Sequence, residues 1–303
     1  MQNKKYFGYL LAVITIVVYE FWYFGSNFIT STNPNASLII PLLIIFSICV
    51  IISIIFELYK NKKFLEIKRR SDLLYPILAG IVFAFGNYLF YFVINYAGIP
   101  AASAFTTAEI VVFSFLLLLV SKNKNTMSFL VMASIFIALG MILESLKIEY
   151  GNIVLNTITL FVGVVIAVLY GAATYLYYAS LEHIEKKMSS ITIIFITELV
   201  VFSLIALIMS FNNSIVLPNF NIYYILAVGG LGIILFLTAW LDATLMKVLL
   251  PFGEKAVATG YIISDMQLLP IIIYTIFAFP TEWYLYATGL ALVVIGILLL
   301  DWF

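Results

Sequence analysis

Ten apolar runs, each close to twenty residues long, follow one another along the chain with only short polar breaks between them. They cover 6–28, 36–58, 74–96, 101–120, 127–146, 157–180, 190–211, 222–246, 256–279 and 284–302. A helix needs roughly 20 apolar residues to cross ~30 Å of hydrocarbon. In lipid, only helices and closed barrels satisfy their own backbone hydrogen bonds. The runs are continuous rather than alternating. The expectation is an all-α integral membrane protein with ten transmembrane helices. Charged residues make up 10% of the chain, against about 25% in soluble domains, so little is left to solvate a globule.

The breaks carry turn-forming residues: Thr32–Asn35, Gly98-Ile-Pro100, Gly151-Asn152, Asn212-Asn213, Pro251-Phe-Gly253 and Pro280-Thr281. Lys4 and Lys5 precede the first run as in a signal peptide. That run continues into aromatics with no small-residue cleavage site, so it is expected to be a retained span. If the first helix starts inside, the inner side carries Lys4, Lys5, the cluster Lys60–Arg70, Lys122, Lys124, Lys186, Lys187, Lys247 and Lys255. The outer side carries only Lys147. This bias predicts both termini on the cytoplasmic side of the cell (cytoplasmic) membrane.

The chain also reads as one unit written twice. Gly8-x-x-x-Ala12 returns as Gly163-x-x-x-Ala167, and Ala133…Gly140 returns as Gly289…Gly296. The implied halves are 1–150 and 151–303, with five helices each. An odd number of crossings puts the second half in upside down. Inverted repeats of this kind are an architecture of secondary transporters, with the solute site near the midplane between the halves.

Several classes are disfavoured. Fifteen basic against fifteen acidic residues leave no basic surface for a nucleic acid. The one cysteine, Cys49, lies in an apolar run and reads as a small packing residue. The one histidine, His183, lies in a polar connector. Without a histidine base or a metal-ligand set at membrane depth, an intramembrane enzyme is not expected, and a passive channel would not need buried acids.

Two connectors and the last hairpin resemble a known family. Asn95-Tyr-Ala-Gly-Ile-Pro-Ala-Ala-Ser-Ala104 looks like the turn between spans 3 and 4 of the drug/metabolite transporter superfamily, EamA branch. Glu254–Gly260 looks like its counterpart opening span 9. Pro280–Trp283, followed by Gly289 and Gly296, resembles the family's last hairpin and helix. The resemblance implies ten helices around a central cavity, alternating access and no obligatory cofactor. It departs from the family at span 4, where Thr106–Ile110 lacks the mid-span proline that span 9 keeps as Pro270. Span 4 is therefore expected to be the straighter of the two.

The candidate site rests on acids at depth. Glu20, Glu109, Glu198 and Asp265 fall near the middle of their spans; Asp242 and Glu57 fall nearer the cytoplasmic ends of theirs. A charge at mid-bilayer costs at least ~2.5–3.5 kcal/mol on insertion scales. No Lys, Arg or His shares that depth. Three readings account for this: neutral acids hydrogen-bonded between helices, acids lining a wet cavity, or a mobile cation (solute or proton) as the missing partner. Glu109 and Asp265 hold near-equivalent positions in spans 4 and 9. Trp22, Tyr23, Tyr88, Tyr91 and Tyr261 would supply aromatic walls that attract an organic ammonium, and Asn87 a neutral hydrogen bond.

The expected ligand is thus a small cationic or zwitterionic organic solute such as an amine, a quaternary ammonium or an amino-acid-like molecule, with coupling to protons open. The rivals are a neutral polar solute such as a sugar or nucleoside, and a proton-coupled drug or metabolite exporter. Phosphorylated solutes are excluded because phosphate demands basic donors.

Overall fold

The computed structural model describes residues 2–61, 70–121, 127–149, 152–184, 189–211, 215–279 and 282–300. Parts of the expected topology signal lie outside the described residues, namely 62–69, Lys122, Lys124, Lys186 and Lys187; so do the side chain of His183 and the connector residues Gly151, Asn212, Asn213, Pro280 and Thr281.

The described chain is helical almost throughout. Its helices are α1 (Gln2–Thr32), α2 (Ile39–Asn61), α3 (Leu74–Thr107), α4 (Glu109–Ser121), α5 (Met127–Glu144), α6 (Thr157–Ile184), α7 (Ser190–Phe211), α8 (Ile222–Leu249), α9 (Glu254–Asp265), α10 (Leu268–Ala278) and α11 (Trp283–Leu300). Among the described residues, eight helical segments are long and apolar enough to cross a membrane, and Leu130–Glu144 is a shorter apolar helix. The protein is a multi-pass α-helical membrane protein. Large apolar side chains such as Phe161, Phe211, Leu226, Ile273 and Phe277 point outward, as a lipid-facing surface requires.

Helix starts follow the connector chemistry. Asn221 Oδ1 accepts from Tyr224 N–H at 2.8 Å at the head of α8, and Asn156 Oδ1 accepts from Thr159 N–H at 3.1 Å at the head of α6. Ser189 Oγ accepts from Thr192 N–H at 3.1 Å at the head of α7. Such caps satisfy amide groups that the first helical turn leaves free. One element was not foreseen. After α5 the chain forms a short antiparallel hairpin, β1 (Leu146–Glu149) and β2 (Asn152–Leu155), pairing Leu146 with Leu155 and Glu149 with Asn152.

Two connectors turn on a glycine. Inside α3, Gly98 breaks the helix with φ 84° and ψ −179°. Before α9, Gly253 holds φ 92° and ψ 168°. A side chain is nearly forbidden in that region, so both turns depend on glycine. The segment Leu74–Leu117 spans 44 residues as one apolar stretch, and Gly98 divides it into two limbs.

Packing relies on small residues. On α3, a Cβ at Gly80 would come 2.6 Å from the Thr197 carbonyl oxygen of α7. On α8, a Cβ at Gly232 would come 2.9 Å from the Ile45 carbonyl oxygen and 2.6 Å from Ile48 Cβ of α2. Between α5 and α11, Gly140 faces the Gly289 carbonyl and Gly296 faces the Ala133 carbonyl, which fixes an antiparallel pair. Close backbone approach of this kind is how helices associate in lipid, where hydrophobicity gives no drive.

The long pair α2 and α7 is tied at both ends. At one end, Glu57 of α2 accepts hydrogen bonds from Ser189 Oγ and Thr192 Oγ1, each at 2.8 Å. At the other, Ser37 N–H donates to Val216 O at 2.9 Å, and Asn219 N–H to Asn33 Oδ1 at 2.8 Å.

Candidate functional site

Two helical courses are interrupted, and each break carries a carboxylate. One lies at Ala108 between α3 and α4, directly before Glu109. The other lies at Met266-Gln267 between α9 and α10, directly after Asp265.

Pro270 explains the second break. It offers no N–H to the Met266 carbonyl, and its ring crowds that carbonyl. The chain tightens in response: Met266 N–H donates to Ile263 O at 3.1 Å, and Leu269 N–H to Met266 O at 3.0 Å.

The first break has no proline and is one residue long, at Ala108, against two residues in the second. Hydroxyls bond back onto the turn that precedes it. Thr106 Oγ1 donates to Ala102 O (3.0 Å) and lies 3.1 Å from Ser103 O, while Ser103 Oγ donates to Pro100 O at 2.8 Å. Hydroxyls bonded back onto the preceding turn distort a helix.

Counting from the two left-handed glycines, Glu109 stands about 16 Å along its helical course and Asp265 about 18 Å, at 1.5 Å per residue. Half of a ~30 Å hydrocarbon layer is about 15 Å. Both acids thus stand about half a hydrocarbon thickness along the helix from their glycines.

The two acids line one cavity of about 120 Å³. At 10–15 Å³ for each water centre, that is room for on the order of ten waters, or for a small organic molecule. Glu198 of α7 and Asp242 of α8 line it too. Among the described residues no Lys, Arg or His does.

The acids are only partly satisfied. Tyr19 Oη donates to Asp242 Oδ2 at 2.9 Å, and Thr174 Oγ1 lies 3.4 Å from Glu109 Oε1. Asp242 Oδ1, Asp265 Oδ2, Glu198 Oε2 and Gln267 Oε1 are buried with no hydrogen-bond partner among the described residues.

The walls are aromatic and hydroxylic. Trp22 stacks on Phe90 at 6.2 Å between centroids, and Tyr23 meets the same ring edge-on at 5.7 Å. Tyr23 Oη is hydrogen-bonded to Thr106 Oγ1, which ties α1 to the α3–α4 break. Tyr170 Oη donates to Asn87 Oδ1 at 3.1 Å, and Asn87 Nδ2 to Phe83 O at 2.9 Å. Tyr261 packs on Phe113 at 5.3 Å.

Of the ten residues expected from the sequence, the structure brings seven to this cavity: Glu109, Asp265, Glu198, Trp22, Tyr23, Asn87 and Tyr261. Three stand elsewhere. Tyr88 is 43% exposed on the outer surface of α3, one residue of helical rotation away from Asn87. Tyr91 is fully buried behind Trp22, 6.0 Å from it in an edge contact, and its hydroxyl accepts from Ser26 Oγ at 3.1 Å. It supports the wall without facing the cavity. Glu20 does not line the cavity, and both of its carboxylate oxygens are buried without a partner among the described residues.

Outside those ten, the cavity is also lined by Asp242, which the sequence places toward the end of span 8, and by Tyr170, Thr174 and Tyr177, which group on one face of span 6. The signal was present in the 170–177 spacing of polar residues on one side of an otherwise apolar helix.

Taken with the fold, this defines a multi-pass membrane protein with a small internal cavity lined by acids and aromatics. A solved crystal structure of a protein matches the chain with a TM-score of 0.66 at 14% identity, covering 96% of this chain and 94% of the other; the likeness is one of fold. No family model and no curated protein matches the chain.

Proposed function

We propose that this protein is a secondary transporter carrying a small cationic or zwitterionic organic solute across the cytoplasmic membrane by alternating access. The observation that carries the reading is the cavity of four carboxylates without a basic side chain among its lining residues. Carboxylates in a low-dielectric site need a positive partner. Here the solute's ammonium, or a proton, is that partner. Trp22, Tyr23 and Tyr170 add the aromatic faces that hold organic cations at about 0.5–2 kcal/mol each.

The proposal includes ten crossings in two inverted halves, 1–150 and 151–303, as in the EamA-type carriers of the drug/metabolite transporter superfamily. Dividing 74–117 at Gly98 gives two crossings, and the 18 residues of α5 reach about 27 Å. Packing supports the repeat. Gly80 sits against Thr197 and Val200, and Gly232 against Ile45 and Ile48. Each residue of one set lies 152 positions from its counterpart in the other (80 to 232, 45 to 197, 48 to 200). Likewise α1 packs on α8 and α9, while α6 packs on α3 and α4.

The test is flux into proteoliposomes with radiolabelled choline as the probe. Glu109→Gln and Asp265→Asn should each reduce uptake at least tenfold. Wild-type rates in both variants, or uptake of sugars and nucleosides in place of choline, would overturn the reading.

A further inference from the structure

Most hydroxyl protons around the cavity are spent on the protein itself. Tyr19 donates to Asp242, Tyr170 to Asn87 and Thr174 to Glu109. Thr106 gives its proton to Ala102 O, so Tyr23 is the donor in the bond between Tyr23 and Thr106. Tyr177, Thr197 and Thr238 donate to the backbone carbonyls of Ala239, Pro76 and Leu235, at 3.4, 3.4 and 2.8 Å. Each of these donors lines the cavity.

The acceptors are in the opposite condition. Asp265 Oδ2, Gln267 Oε1, Glu198 Oε2 and Asp242 Oδ1 are buried and hold no hydrogen bond among the described residues. The first three sit on side chains only 6%, 3% and 8% exposed, and all four residues line the cavity. An ionised carboxyl needs donors, and a protonated one needs an acceptor within reach; these oxygens have neither among the described residues. Donors remain as well, among them the second amide N–H of Asn87, whose first goes to Phe83 O, and the unpartnered Thr107 hydroxyl. They are neutral and share the cavity with four carboxyl groups.

Resting on the carrier reading above, we propose that the preferred solute is a primary ammonium without a carboxylate, selected over quaternary ammonium ions and amino acids by its N–H bonds. The unmatched acceptors carry the choice. A primary ammonium brings three donors. A quaternary nitrogen brings the same charge and no donor, so it leaves buried acceptors unpaired. A site whose polar groups hydrogen-bond the solute rejects an analogue that lacks those groups far more strongly than an apolar pocket does. A solute carboxylate would stand among four carboxyl groups with only neutral donors to hold it, and like charges set together are costly.

The experiment is equilibrium binding to the purified full-length protein with tert-butylammonium, tetramethylammonium and 2-aminoisobutyrate. The first two share charge, shape and number of non-hydrogen atoms, and differ in their N–H bonds. The last places a carboxylate where tert-butylammonium has a methyl group. tert-Butylammonium should bind at least about fivefold more tightly than either of the others; a smaller ratio against either one overturns the proposal. Gln267→Met removes one acceptor and no charge. It should lower the ratio of tert-butylammonium to tetramethylammonium affinity, while tetramethylammonium affinity stays within about twofold of wild type. An unchanged ratio in that variant, folded by its melting curve, also overturns the proposal. Choline flux decides the carrier reading separately, so a carrier that moves choline and shows no preference for tert-butylammonium loses this inference alone.

Discussion

Gly98 and Gly253, 155 positions apart, adopt the same rare backbone conformation, with φ of 84° and 92° and ψ near 180°. Each turns the chain directly into the helical course that bears a cavity acid. A Cβ at Gly253 would meet no atom within 4 Å, so substitution there tests conformation rather than space. Gly253→Ala and Gly98→Ala should each lose ~1–3 kcal/mol, seen as a lower unfolding midpoint in detergent. Gly229→Ala, in the helical interior of α8 and equally free of neighbours, should gain up to about 1 kcal/mol from helix propensity. Equal behaviour of residues 229 and 253 would contradict the assignment.

A second pair tests the packing. Gly80→Ala drives its Cβ to 2.6 Å from the Thr197 carbonyl, and Gly232→Ala to 2.6 Å from Ile48 Cβ. Neither neighbour is the flexible end of a side chain, so helices must separate. Overpacking of this kind costs ~1–3 kcal/mol. The two variants should lose similar amounts by denaturant titration; a loss in only one would mean that the two contacts are not equivalent.

Aromatic residues divide by position. Trp22→Ala should weaken binding of an organic ammonium by about 2- to 30-fold, from 0.5–2 kcal/mol of cation–π attraction. Tyr88→Ala, on the outer surface, should leave the dissociation constant within twofold. Isothermal titration with choline separates them, and a larger effect at position 88 than at 22 would refute the site.

Asp242 offers a fourth test, because its partner is known. Tyr19→Phe removes the 2.9 Å donor to Asp242 Oδ2 while keeping the ring. A hydrogen bond to a charged group is worth ~1.5–3 kcal/mol. Flux should change markedly in Tyr19→Phe and in Asp242→Asn. Wild-type flux in both would remove Asp242 from the working part of the cavity.

At the α2–α7 contact, Thr192→Val removes one of the two hydroxyl donors to buried Glu57. Leaving that acceptor short should lower stability by ~1–3 kcal/mol. Ser203→Ala, whose exposed hydroxyl bonds back to the Leu199 carbonyl of its own helix, should stay within about 0.5 kcal/mol. A thermal melt of both variants makes the comparison.

The membrane class and the position of most helices were legible in the sequence because long apolar runs have one physical use. Glu109 and Asp265 were legible for the opposite reason, as charges where charge is costly. Other features needed coordinates. Tyr88 and Asn87 are adjacent in sequence, yet one faces outward and the other the cavity, a rotation that an all-apolar helix does not encode by periodicity. Asp242 lies close to the expected end of span 8 at 246, whereas α8 runs on to Leu249. The break before Glu109 has no proline to announce it; there the hydroxyls of Ser103 and Thr106 bond back onto the preceding turn.

Glu57 adds a last consequence. A carrier built from two equivalent halves has no intrinsic preference for which face it opens. The position related to Glu57 by the 152-residue step is Met209, whose thioether cannot accept two hydroxyls as a carboxylate does. The other end of the pair is held instead by the Ser37–Val216 and Asn219–Asn33 bonds, so under the proposed carrier reading the two faces are held by unlike chemistry and are energetically unequal.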